Sequence, residues 1–228
     1  MKMNMTKVEA YEKQFEKGTI IDGVIDKEQY FKSKPRLAWF LKEPYSNEKQ
    51  GFHIKTHYAQ PNAYDNFFRN IATHTWHPII YTSYGILNEY IIREDMSSIR
   101  EQPDMCDVIK SIAIINANKF PSKTGTYTTD KNLREGFIKF KKLIQTQIDV
   151  LKPEIYIFCG TFHLYQDMFG LTYENKSDEY WIRDMDGKLF LEVYHPANRQ
   201  QKKADYVNEI VGAVENWSNQ KEKELKNR

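Results

Sequence analysis

The 228-residue chain is 40% hydrophobic and 28% charged, the balance of an ordinary globular domain, and its length suits one domain spanning 1–228. A net charge of +2 argues against binding polyanions by bulk charge. Two cysteines, Cys106 and Cys159, with no CxxC pair, argue against a structural zinc or a four-cysteine iron–sulfur centre.

Residues 4–17 and 27–33 read as short charged helices around a Gly18–Gly23 turn region, with Val24 and Tyr30 facing inward and Asp26 able to cap the second. Together, 1–33 form an expected N-terminal helical extension. The first strand is Arg36–Leu41, after the Lys34-Pro35 break. A polar loop from Ser46 to Gln60 leads to a helix near Pro61-Asn62, whose Tyr64, Phe67, Phe68 and Ile71 recur at helical spacing. In 74–104, HTWHP suggests a loop and Gly85–Arg93 a helix.

The second strand is Ser111–Ile115. A turn-rich loop, 118–130, then gives way to a long helix over 131–150, with Asp130 as its cap. Lys152-Pro153 ends that helix, Glu154–Cys159 is the third strand, and Gly160-Thr161 opens a short helix to Met168. A hairpin covers Tyr180–Tyr194 and turns at Asp186-Gly187. The last helix runs from Gln201 to Trp217, before a frayed charged tail, 218–228. Alternating strands and helices predict a three-layer α/β/α sandwich around a mainly parallel, four-stranded central sheet.

Nothing in this pattern is apolar enough to span a membrane. The N-terminal MKMNMTKVEAYEKQFEKG lacks a signal-like apolar core, so a cytoplasmic protein without membrane contact is expected. Aromatics are abundant at 14%, which fits core packing and also fits stacking on unpaired bases.

Each apolar run ends in residues with useful chemistry: Lys42-Glu43-Pro44-Tyr45, Asn116-Ala117-Asn118, Gly160-Thr161 and His195-Pro196-Ala197. In an open parallel sheet the strand C-termini share one edge, where ligands bind. Glu43 could orient water or stabilise a cation, or simply pair with Lys42. Asn116 carries donor and acceptor in one plane and suits the O4/N3 edge of a pyrimidine, or a turn cap. His195 could donate to an oxygen that gains negative charge.

Together these segments resemble the uracil-DNA glycosylase superfamily. LKEPY is similar to its Gly-Gln-Asp-Pro-Tyr motif, IINA to its Leu-Leu-Asn-Thr/Ala strand, FCGTFH to its Trp-Gly-Ser/Asn strand, and YHPA to its His-Pro-Ser motif. The order agrees over roughly 36–217. The resemblance implies a monofunctional glycosylase that hydrolyses the N-glycosidic bond of a nucleotide flipped from DNA, needing no metal or redox cofactor. A monomer is expected. Glu43 and His195 take the catalytic positions, Asn116 selects the base, and Tyr45, Phe52 and Lys42 line its pocket. Thr161, Arg199 and Gln200 fall where DNA is contacted.

Departures concern Leu41 and Lys42 in place of Gly and Gln, Glu43 in place of Asp, and Ala197 in place of Ser. They leave open uracil repair or excision of a modified pyrimidine, as in defence against phage with modified DNA. Two other readings are a non-catalytic base-binding module of the same fold and a hydrolase of free nucleosides. A lyase using Lys42 is a further variant.

Overall fold

The computed structural model describes residues 2–44, 51–60, 63–65, 67, 73–122, 128–171 and 181–226. Six strands form one sheet: β1 (Gly23–Val24), β2 (Leu37–Leu41), β3 (Ile112–Asn116), β4 (Ile155–Cys159), β5 (Trp181–Met185) and β6 (Lys188–Val193), in the order β1-β3-β2-β4-β6-β5. The four central strands are parallel, as expected, and an antiparallel strand flanks them on each side. Among the described residues the sheet therefore has six strands rather than four. Gly23–Val24 is too short to show alternation, and β5 pairs only as the outer arm of the expected hairpin. That hairpin turns at Asp186 and Gly187, both with positive φ, as a tight two-residue turn requires.

Strand alternation sorts the core into two faces. Leu37, Trp39, Leu41, Ile112, Ile114, Ile155, Ile157, Leu189 and Leu191 face one way. Helix α4 (Thr73–Leu87) and helix α7 (Lys203–Lys226) cover them with Ile79, Ile80, Val207 and Ile210. Phe40, Tyr156, Phe158 and Phe190 face the other way and stack across neighbouring strands, with Tyr156 and Phe190 ring centroids 4.5 Å apart and Phe40 and Phe158 4.6 Å apart. On that side lie α1 (Lys2–Glu12), α2 (Lys27–Lys32), α5 (Asp130–Leu151) and α6 (Phe162–Phe169). Much of the aromatic content is thus core, each ring burying a large apolar area.

Several local expectations hold. Asp26 caps α2 by accepting from the Gln29 N–H at 2.9 Å, and Val24 and Tyr30 are buried. Others shift. The cap of α5 is Thr129, whose hydroxyl accepts from the Asn132 N–H, so Asp130 is its first helical residue. A short helix, α3 (Ile54–Tyr58), lies inside the expected polar loop. Helix α4 runs straight through HTWHP: Pro78 has no N–H to donate, but burial of Ile79, Ile80, Tyr81 and Ile86 outweighs one missing bond. The charged tail continues α7 to Lys226, where Lys221 lies over the Trp217 ring and donates to the Gly187 carbonyl of the hairpin turn. Phe68, Ile71, Tyr180 and part of the 118–130 loop lie outside the described residues.

The segment 1–33 is more than a helical extension. It contributes β1, which pairs with β3 through Gly23 opposite Ile114. Gly23 has φ +127°, and a Cβ there would collide with the Tyr11 hydroxyl, so glycine is required. Among the described residues, no helix is long and apolar enough to cross a membrane.

Candidate active site

Because β3, β2, β4 and β6 are parallel neighbours, their C-terminal ends open on one edge of the sheet. Leu41 lies opposite Asn116, and Cys159 opposite Val193. The pairing of β2 with β3 continues past both strands: the Ala117 N–H donates to Leu41 and the Asn118 N–H to Lys42, each at 2.9 Å. Glu43, Asn116, Gly160 and His195 are thereby brought to the same edge.

Glu43 is half-buried, and its Oε2 accepts from Asn118 Nδ2 at 3.4 Å. Asn118 Oδ1 in turn accepts from the Phe120 N–H, which fixes the amide's sense. The loop after β3 closes over this corner, with the Ser122 N–H donating to the Pro44 carbonyl. Leu41 packs into the aliphatic core, so its bulk is accommodated below the edge. Lys42 is half-buried, and its Cε lies 3.8 Å from where a Cβ on Gly160 would be.

His195 sits on a turn closed by the Asn198 N–H donating to the His195 carbonyl at 2.7 Å. Its Nδ1 accepts from the Ala197 N–H at 3.2 Å, which leaves the imidazole proton on Nε2. Burial, reinforced by the positive charges of Lys42 and Lys203, pushes its pKa down to about 4. The ring is therefore a neutral donor at physiological pH. Lys203, at the start of α7, donates to the carbonyls of Pro196 and Asn198, and the Tyr206 hydroxyl donates to the Tyr194 carbonyl at 3.1 Å.

Asn116 is only 4% exposed, and beneath it lies a buried polar cluster that sequence reading missed. Asp22 Oδ2 accepts from the Asn116 backbone N–H at 2.7 Å and from Asn116 Nδ2 at 2.9 Å. Lys119 Nζ, with no solvent exposure, donates to both Asp22 oxygens and to Gln147 Oε1. Gln147 Nε2 completes the set by donating to Asp22 Oδ1 at 2.9 Å. A buried carboxylate and ammonium are tolerated because they face each other and their remaining bonds are met. The one signal in the chain was Gln147 itself, a polar residue within the apolar stripe of Ile144, Ile148 and Leu151.

The other expected residues divide. Phe52 is partly buried, its ring 4.8 Å from that of His57, and its carbonyl accepts from the Ile21 N–H. It therefore stands beside the segment that carries Asp22. Arg199 and Gln200 are exposed on the turn after His195. Thr161, expected against DNA, is fully buried and donates its hydroxyl to the Phe40 carbonyl at 2.9 Å. Its side chain ties β4 to β2 and offers no surface to a ligand. Tyr45 lies outside the described residues.

A cleft of about 320 Å³ adjoins the His195 turn between α4 and α7, lined by His74, His77, Arg93 and Lys203 among others. Among the described residues, no group of three or more His, Cys, Asp or Glu side chains is placed to hold a metal ion. No protein-family model matches this chain, and no curated protein matches it.

Proposed function

We propose that the chain is a monofunctional DNA glycosylase that hydrolyses the N-glycosidic bond of a flipped-out uracil or modified pyrimidine. It leaves an abasic site, in base-excision repair or in defence against phage with modified bases. The observation that carries this reading is the meeting of Glu43, Asn116 and a neutral, Nε2-protonated His195 on one sheet edge. The resemblance of their four motifs to the uracil-DNA glycosylase superfamily supports the same reading.

In this mechanism the bond between the sugar carbon and the base nitrogen breaks with an oxocarbenium-like sugar and an anionic base. Glu43, held by Asn118, stabilises the sugar cation and directs water to it. His195 Nε2–H donates to the base oxygen that gains charge, the kind of preorganised donor that lowers such barriers. The neutral ring acts by hydrogen bonding and has no extra proton to give. Lys42, close to Gly160, adds positive potential on the same side. Asn116 reads the edge of the base, and Phe52 is the stacking candidate. Arg199, Gln200 and the basic cleft beside the His195 turn supply positions for phosphate contacts. The enzyme would act as a cytoplasmic monomer without metal or redox cofactor.

The test incubates purified protein with end-labelled DNA carrying uracil or a modified cytosine, and scores abasic sites by alkaline cleavage. Abasic sites formed by the wild type and lost in Glu43→Gln and Asn116→Ala establish the activity. DNA binding without abasic sites on either substrate would instead indicate a base-binding module of the same fold.

A further inference from the structure

The position of Asp22 constrains what Asn116 can recognise. Its Oδ2 is shared between the Asn116 backbone N–H and Nδ2. An acceptor in that place takes the amide hydrogen on the Cβ side. The opposite edge of the amide, with Oδ1 beside the second N–H, is left as one acceptor next to one donor. Turning the amide over would set Oδ1 against a carboxylate oxygen, replacing one of the three hydrogen bonds that oxygen accepts with a repulsion between two acceptors. Asp22 cannot adjust to such a turn, because Lys119 and Gln147 hold its other contacts in a cluster without water access. Buried groups left facing the wrong partner are costly.

Pyrimidines present two opposite patterns at this edge. A 4-oxo base offers the N3–H donor and the O4 acceptor, whereas a 4-amino base offers the N3 acceptor and an N4–H donor. With the sugar anchored, an amide that can turn over reads either pattern, and one that cannot reads a single pattern. Resting on the glycosylase reading above, we propose that Asp22 is the specificity-determining positioning residue: it locks the Asn116 amide, so the site accepts one of these two classes and rejects the other.

The experiment compares kcat/KM on DNA pairs that differ only at the 4-position, uracil against cytosine and 5-hydroxymethyluracil against 5-hydroxymethylcytosine. The wild type should favour one class by about 100-fold or more, since sites built around buried hydrogen bonds discriminate strongly. The double variant Asp22→Ala/Lys119→Met removes the shared acceptor and the buried charge pair together, so no lone charge remains. With no acceptor at 22 the Asn116 amide is free to turn over, and the preference should collapse to within about tenfold. Lys119→Met alone keeps the acceptor and should keep the preference even where stability falls. A general structural defect would lower both rates and leave their ratio unchanged.

A selective wild type whose double variant is equally selective overturns the role of Asp22 and leaves the glycosylase reading intact. A wild type that excises both classes at similar rates also overturns it. A wild type that excises none of the four bases removes the glycosylase reading and the proposal with it.

Discussion

On the β3 side of the site, Asn116 is held from beneath by Asp22, Lys119 and Gln147, all buried and all joined by hydrogen bonds. On the β6 side, His195 is held by a turn whose carbonyls accept from Lys203 and by Tyr206 bonding the strand end. The first support is charged, dry and shared among three distant segments. The second consists of two side chains of one helix donating to backbone carbonyls, close to exposed Arg199 and Gln200. Under the proposed function Asn116 reads the base and must keep one orientation, so a rigid support suits it. In the same proposal His195 donates to the leaving base and needs a set proton and direction, and the braced turn supplies both.

The largest expected effect comes from the carboxylate that follows β2, between the two sides. Glu43→Gln should lower the excision rate by about 10²–10⁴-fold with DNA binding retained, read as abasic sites against a binding isotherm. The next separates the supports. Lys119→Met leaves Asp22 buried without its cation and should cost about 3–5 kcal/mol in denaturant unfolding. An unchanged midpoint would mean that the cluster is not the rigid element described.

His195→Gln should then slow excision by about 10²–10³-fold. The wild-type rate should carry no titration from His195 between pH 5 and 8, given a pKa pushed down to about 4. Stability follows the same sign. Between its ordinary value of 6.5 and about 4, the imidazole is protonated in the unfolded chain and neutral in the fold. The unfolded state binds more protons there, so stability falls as pH drops through that window. His195→Gln should flatten this part of the profile in acid-titrated unfolding curves. The smallest effect sharpens the contrast: Tyr206→Phe deletes one bond to the Tyr194 carbonyl and should cost about 0.5–1.5 kcal/mol. A melting curve would detect it.

How much was legible in the sequence follows the same division. The four central strands and their order of chemistry could be read because each apolar run stops abruptly at a polar residue, as in Phe40-Leu41-Lys42-Glu43. Asp186-Gly187 announced its turn. Helix α4 was obscured because Pro78 is a local stop signal, and tertiary burial of Ile79 and Ile80 overrode it. Asp22 gave no signal as a member of a buried cluster: one acid in a glycine-bounded turn has no periodic pattern. Lys119 reads as an ordinary loop lysine until the fold places it against Asp22 with no solvent exposure. Thr161 shows the converse, a strand-end residue whose hydroxyl is consumed by the scaffold.

The edge strand β1 has a consequence for how the site comes into being. Gly23 pairs with Ile114, and the adjacent Asp22 takes its partners from Asn116, Lys119 and Gln147. During synthesis Asp22 leaves the ribosome well ahead of all three, and its carboxylate stays hydrated until they arrive. Assembly of this cluster must therefore wait for the α5 segment, and removing the first thirty-odd residues would remove Asp22 and β1 with them. Without them β3 would present an unpaired edge, an invitation to pair with another nascent chain.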